Sequence, residues 1–153
     1  MMNGLTRTLC TVGVVIMTLA ACGGPASEPE EELRAWVGAG VEAAKNKERR
    51  ALMGMISGSY ADARGNERSD IEAMLRVYFL RQHKIALLTK IEEIAVYDDT
   101  AARVEMTVGM AGTNDGMLGL SADAYRFELE LERGAEEWQL ISARWGELGE
   151  EIR

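Results

Sequence analysis

Beyond residue 32 the apolar positions change period once. Leu33, Trp36, Val37, Gly40, Val41 and Ala44 recur at helical spacing and predict one face of a first helix. Glu30, Glu31 and Glu32 stand at its start, where the helix dipole favours negative charge. Lys45, Lys47, Arg49 and Arg50 gather at or beyond its end. Asn46 is a candidate break or cap, and Ala51, Leu52, Met55 and Ile56 predict a second, short helix. Residues 57–68 read as a loop in which Gly58 and Gly65 allow unusual backbone angles. Ser69 with Glu72 has the spacing of a capping box. A third helix follows, with Ile71, Met74, Leu75, Tyr78, Phe79 and Gln82 on one face.

From residue 85 the period becomes two. Residues 85–97 are β-branched and apolar and predict a long strand, and Asp98, Asp99 and Thr100 a turn. Ala102, Val104, Met106, Val108 and Met110 then alternate with polar or small residues. Residues 111–122 read as a glycine-rich loop. Tyr125, Phe127, Leu129 and Leu131 alternate with Arg126, Glu128, Glu130 and Glu132 in a third strand. Gly134 marks a turn before a last strand over 138–145, with Trp138, Leu140 and Ser142 on one face and Ile141, Ala143 and Trp145 on the other. Helices followed by hairpin-linked strands predict an α+β fold: three N-terminal helices packed on a curved four-stranded antiparallel sheet, the whole cone-like with a mouth.

Composition narrows the partners. The chain has 153 residues, enough for one ordinary domain, and a net charge of −8. An acidic surface argues against nucleic acid, whose phosphates need basic groups. A single His and two Cys argue against a His-rich metal site or a disulfide scaffold, so no metal or cofactor is expected. No glycine-rich phosphate loop, Gly-x-Ser-x-Gly elbow or His-Glu-x-x-His motif occurs.

The first residues stand apart. Arg7 precedes an uncharged apolar run over 9–21, too short to span a bilayer and suited to a secretory leader. It ends in Leu19, Ala20, Ala21 and Cys22, followed by Gly23 and Gly24, which resembles a bacterial lipobox. The resemblance implies a signal peptide over 1–21, lipidation of Cys22, and a chain tethered to the membrane without spanning it. Gly23, where an Asp would retain some lipoproteins at the inner membrane, implies the outer membrane facing the periplasm. Loss of Arg7 with the leader would take the charge from −8 to about −9. It would also remove Cys10 and leave no free thiol. Residues 22–32, which hold both prolines, read as a lipidated tether, and residues 33–153 as the domain.

The succession of elements resembles the nuclear-transport-factor-2-like superfamily, also called the ketosteroid-isomerase or cystatin-like fold. Three helices precede a curled sheet, a loop carries Tyr60, Asp62 and Gly65 before the third helix, and the strand from Trp138 to Trp145 closes the chain. The superfamily contains dehydratases, isomerases and many proteins without catalysis, so fold alone assigns no activity. Its enzymes use a carboxylate base with hydrogen-bond donors inside an apolar cone.

That pattern makes Asp62 a candidate base, with Tyr60 or Tyr78 as the donor to a developing oxyanion and His83 a further candidate. Against it stand local explanations. Tyr60 can anchor its loop, Asp62 can form the turn, and His83 sits where a helix dipole favours a cation. Asp98 and Asp99 could touch a cation or simply form the hairpin turn. Met117, Leu118 and Leu120 are apolar in an otherwise polar loop, and either meet a ligand or partner or fold back to close the cone. The acidic strand face over 126–132 suits a solvated sheet surface or a homodimer contact. The leading expectation is a lipid-anchored, non-catalytic domain that binds a small apolar ligand or an envelope protein. The alternative is a ketosteroid-isomerase-like lyase or isomerase.

Overall fold

The computed structural model describes residues 27–113 and 120–152. Helix α1 runs Glu28–Lys45, α2 Arg49–Gly54 and α3 Arg68–Arg81; strands β1 Lys84–Asp98, β2 Ala101–Thr113, β3 Leu120–Arg133 and β4 Trp138–Glu147 follow. The sheet order is β1-β2-β3-β4 and every pairing is antiparallel. This is the expected succession of three helices and four hairpin-linked strands.

Helix α1 begins before Leu33, within the stretch read as tether. Pro29 sits in its first turn, where its missing N–H costs nothing, and Glu28, Glu30 and Glu31 complement the dipole. Leu33, Val37 and Ala43 bury one stripe of it. Asn46 caps the end in ordinary right-handed geometry, and the reversal falls on Lys47, whose φ is 57°. Lys47 Nζ then donates to the Gln82 carbonyl and, at 3.4 Å, to that of Phe79. It thereby supplies a cation to the C-terminal end of α3.

The capping box of α3 lies two residues earlier than Ser69 and Glu72. Glu67 is the N-cap and accepts from the Asp70 backbone, while Asp70 Oδ2 accepts from Glu67 N–H at 2.8 Å. Ser69 is instead inside the helix, and Glu72 pairs with Arg49 of α2. The shift follows from the loop before it. Ala61 bridges to Glu67, so the chain is already fixed when Glu67 arrives.

The core lies between α1 and the concave face of the sheet. Leu33, Val104 and Leu131 are shielded at its centre, with Ala102, Met106, Val108 and Leu129 alternating inward as expected. Each such Leu contributes roughly 2 kcal/mol by leaving water. Strand β4 departs from simple alternation. A register shift between Glu130 and Leu131 changes its phase, so Trp138, Leu140, Ala143 and Trp145 all join the core cluster. Glu32 of α1 fastens the hairpin at this corner, accepting from Arg133 Nη2 at 2.8 Å and Trp138 Nε1 at 3.0 Å.

Two segments read as loops are more ordered than expected. In the stretch 111–122 the β2–β3 ladder continues through Ala111–Ala122, Gly112–Ser121 and Thr113–Leu120. The segment after α2 lies along the outer side of β4: Leu140 N–H donates to Met55 O, Ser57 N–H to Leu140 O, and Ala61 N–H to Ile141 O. On the convex face, Arg103 and Arg144 answer the acidic stripe, Arg144 pairing with Glu128 and Arg103 approaching Glu105 at 3.6 Å.

Candidate functional site: an open apolar cone

The space between helices and sheet is a cone of two connected chambers. The inner one is about 310 Å³, and every side chain lining it is apolar except Thr89. The outer one is about 760 Å³ and opens between α3 and the sheet. Ala44, Ile71, Leu75, Leu87, Met110 and Phe127 line both. The opening exists because α3 stands off the sheet: Ile71, Leu75, Tyr78 and Phe79 turn toward it, yet no residue of α3 is fully buried. These volumes fall in the ordinary range for small-molecule pockets.

The expected site residues divide. Tyr78 lines the outer chamber. Tyr60 and Asp62 come together, but neither lines either chamber. Asp62 is the hub of its loop. Its Oδ1 accepts from the backbone N–H of Arg64 at 2.9 Å and of Asn66 at 2.8 Å, and Oδ2 accepts from Asn66 Nδ2 at 2.9 Å and Tyr60 Oη at 3.3 Å. Burial alone would push this carboxyl up. The hydrogen bonds from Asn66, Arg64 and Tyr60 outweigh that and hold it below the usual carboxylate range. Tyr60 moves the other way, raised by burial and then by the charge and hydrogen bond of Asp62. All four of these bonds lie within its own loop, and the expected base thus stands in that loop and not on the wall of either chamber.

His83 is exposed at the junction of α3 and β1, outside both chambers. Asp98 closes its hairpin turn, Oδ1 accepting from the backbone N–H and the hydroxyl of Thr100, each at 2.7 Å. Met117 and Leu118 lie outside the described residues; Leu120 opens β3 opposite Thr113, and its side chain also lies outside them. Among the described residues no cluster of three or more His, Cys, Asp or Glu side chains could hold a metal ion. No helix among them is long and apolar enough to cross a membrane.

The structure adds two residues at the mouth. Asp123 and Tyr125 of β3 line the outer chamber with Tyr78. Both tyrosine hydroxyls are pushed up, first by burial and then by the charge of Asp123. They therefore remain protonated donors near neutral pH. The strand period carried the signal: Asp123 stands two residues before the inward-facing Tyr125, on the same face of β3. The aromatic wall continues inward through Phe127, whose ring stacks on Trp145 at 6.5 Å. Arg64 closes the far side of Trp145, its guanidinium 4.4 Å over the ring and Nη2 2.6 Å from the Trp145 carbonyl.

No protein-family model matches the sequence, and no curated protein matches it. Solved structures match it in shape. A ketosteroid isomerase-like protein from Erwinia carotovora atroseptica is 14% identical, with 82% of this chain and 100% of that one covered and a TM-score of 0.67. A candidate scytalone dehydratase from Novosphingobium aromaticivorans is 9% identical over 77% of this chain and 83% of that one, with a TM-score of 0.71. A candidate dehydratase of the nuclear-transport-factor-2-like family from Streptomyces avermitilis is 14% identical over 77% and 95%, with a TM-score of 0.65. At such identities the likeness concerns backbone shape. The chain has the nuclear-transport-factor-2-like α+β cone fold.

Proposed function

We propose that this chain binds a small apolar ligand in its cone, in a domain held to the cell envelope by lipid on Cys22. The observation that carries the ligand reading is the lining of the inner chamber, apolar on every side but for Thr89. Such a surface gains from excluding water with any apolar guest and holds no charged group to perform chemistry on it. Trp36 lines this chamber, and its Nε1 is buried without a hydrogen-bond partner. Its ring is therefore a built-in reporter of occupancy. Titration with the apolar probe N-phenyl-1-naphthylamine should bring the probe into the chamber and quench indole emission. Leu75→Trp fills the chamber and should weaken binding at least about tenfold, some 1.4 kcal/mol, without lowering thermal stability. Equal binding by both chains would remove the ligand reading and favour an envelope protein as partner.

For the anchor, the support is the order of charge, apolar run and Leu-Ala-Ala-Cys at residues 7–22, which lie outside the described residues. The N-terminal peptide from the outer-membrane fraction should begin at an acylated Cys22, and Cys22→Ser should release the chain from that fraction. An unmodified thiol would refute the anchor alone.

A second reading rests on the mouth. Asp123 with Tyr78 and Tyr125 offers one carboxylate and two hydroxyl donors around an apolar opening. That set suits proton abstraction beside a carbonyl, in a fold shared with isomerase-like and dehydratase-described proteins. Asp123 is exposed, so water competes with any substrate for it, and binding is preferred. If catalysis of an enolisable ketone is found, Asp123→Asn should cost about a hundredfold in kcat, while Asp62→Asn should change stability more than rate.

A further inference from the structure

Helix α3 is apolar on two faces. Ile71, Leu75 and Tyr78 serve the cone; Ala73 and Val77 also line the outer chamber and continue outward to Leu80, which lines neither chamber. Leu80 is 81% exposed, Val77 46% and Met74 44%. Nothing among the described residues covers these exposed apolar side chains. Leu88, also 81% exposed, points outward from the edge strand that leaves α3. Among the described residues only Tyr97 and Leu148 are comparable large apolar side chains left exposed elsewhere.

The same stretch departs from the rest of the chain in charge. The molecule carries −8, yet no Asp or Glu occurs from residue 73 to residue 91, while Arg76, Arg81, Lys84 and Lys90 all do. Arg76 and Arg81 flank the Val77–Leu80 stripe on either side by helical spacing. Apolar exposure and a local excess of positive charge thus coincide on one element of an acidic protein, although Arg76 lies 3.9 Å from Glu72 and Lys90 pairs with Glu92. Asp123 at the nearby mouth is the one carboxylate that lines the outer chamber with Arg81.

We infer that the outer face of α3 docks on an anionic lipid surface, with Val77 and Leu80 entering the interface and Arg76, Arg81 and Lys84 meeting headgroup phosphates. Apolar insertion with flanking Lys and Arg is how an interfacial helix holds an acidic leaflet. A second copy of the chain is disfavoured by symmetry. A two-fold contact through α3 would set Arg81 and Lys84 against their own copies, while Glu72 is already engaged by Arg49 and Arg76. Docking in this orientation would place the outer chamber beside the bilayer, since Met74, Val77 and Arg81 also line it. Docking of this face does not require that Cys22 be acylated.

Hydrogen exchange of the full chain should test this, with phosphatidylcholine vesicles alone and with phosphatidylglycerol added. The expected result is slowing over residues 73–91 only when phosphatidylglycerol is present, with residues around Tyr97 and Leu148 unchanged. Each basic side chain near an anionic leaflet is worth on the order of fivefold in binding. The pair Arg76→Glu and Lys84→Glu should therefore weaken the effect at least about twentyfold, and Leu80→Ser, at a solvent-exposed position, should weaken it without lowering the melting temperature. No slowing over 73–91, or equal slowing on both vesicles, would overturn the inference. Slowing in lipid-free solution that grows with protein concentration would overturn it in favour of self-association.

Discussion

A carboxylate flanked by aromatic hydroxyls can be a catalytic base or the knot of a turn, and the bonds made by Asp62 are those of a turn. Four hydrogen bonds converge on it, and Asn66 alone supplies two of them. Asp62→Ala should leave buried donors unmatched and cost roughly 3 kcal/mol, measured by denaturant unfolding. Because the folded carboxyl titrates below its usual value, its contribution is complete above the ordinary carboxylate pKa and fades as pH falls through the lowered one. The stability gap between the native chain and Asp62→Asn should thus be widest at neutral pH and shrink in acid. A gap that widened in acid would contradict the arrangement. The turn chemistry of Asp62 was legible from its neighbours Gly65 and Asn66. The strand period gave the face of Asp123 but not its place at the mouth, which needs the register of β3 against β2 that opposes it to Met110.

Among the elements, the strands matched their period and the helix ends did not. Alternation fixes which face is inward, and one bulge in the β3–β4 pairing was enough to bring Leu140 and Ala143 to the same side. Helix ends depend on single local bonds, so the start of α3 moved to Glu67, and the start of α1 to Glu28 despite Pro29. Lys47 joins two elements at once through its left-handed backbone and its amino group on the end of α3. The two roles separate by substitution. Lys47→Ala loses the amino group and keeps the unfavourable φ, while Lys47→Gly loses the amino group and relieves it. Glycine should be the more stable of the two by about 1 kcal/mol, and both should fall below the native chain. Thermal melts of the three proteins check the order.

At the scale of the molecule, the fold class was readable because the period changes once, from helical to alternating, and never returns. The cone was readable as a consequence of one-sided helices before a sheet. Its depth and its opening were not, since they depend on how far α3 stands from β1, β2 and β3, a distance no local pattern encodes. The outer stripe on α3 escaped for a related reason. A helix with two apolar faces gives a weak amphipathic signal, so the inner face alone was seen.

The strip after α2 that lies along β4 has a consequence for assembly. It occupies one rim of the sheet, whereas β1 carries no strand on its outer side among the described residues. Growth by adding strands is therefore favoured at β1, since the opposite rim is covered at Leu140 and Ile141. Two molecules joined through β1 would use up each other's open edge, which favours a pair over a fibre.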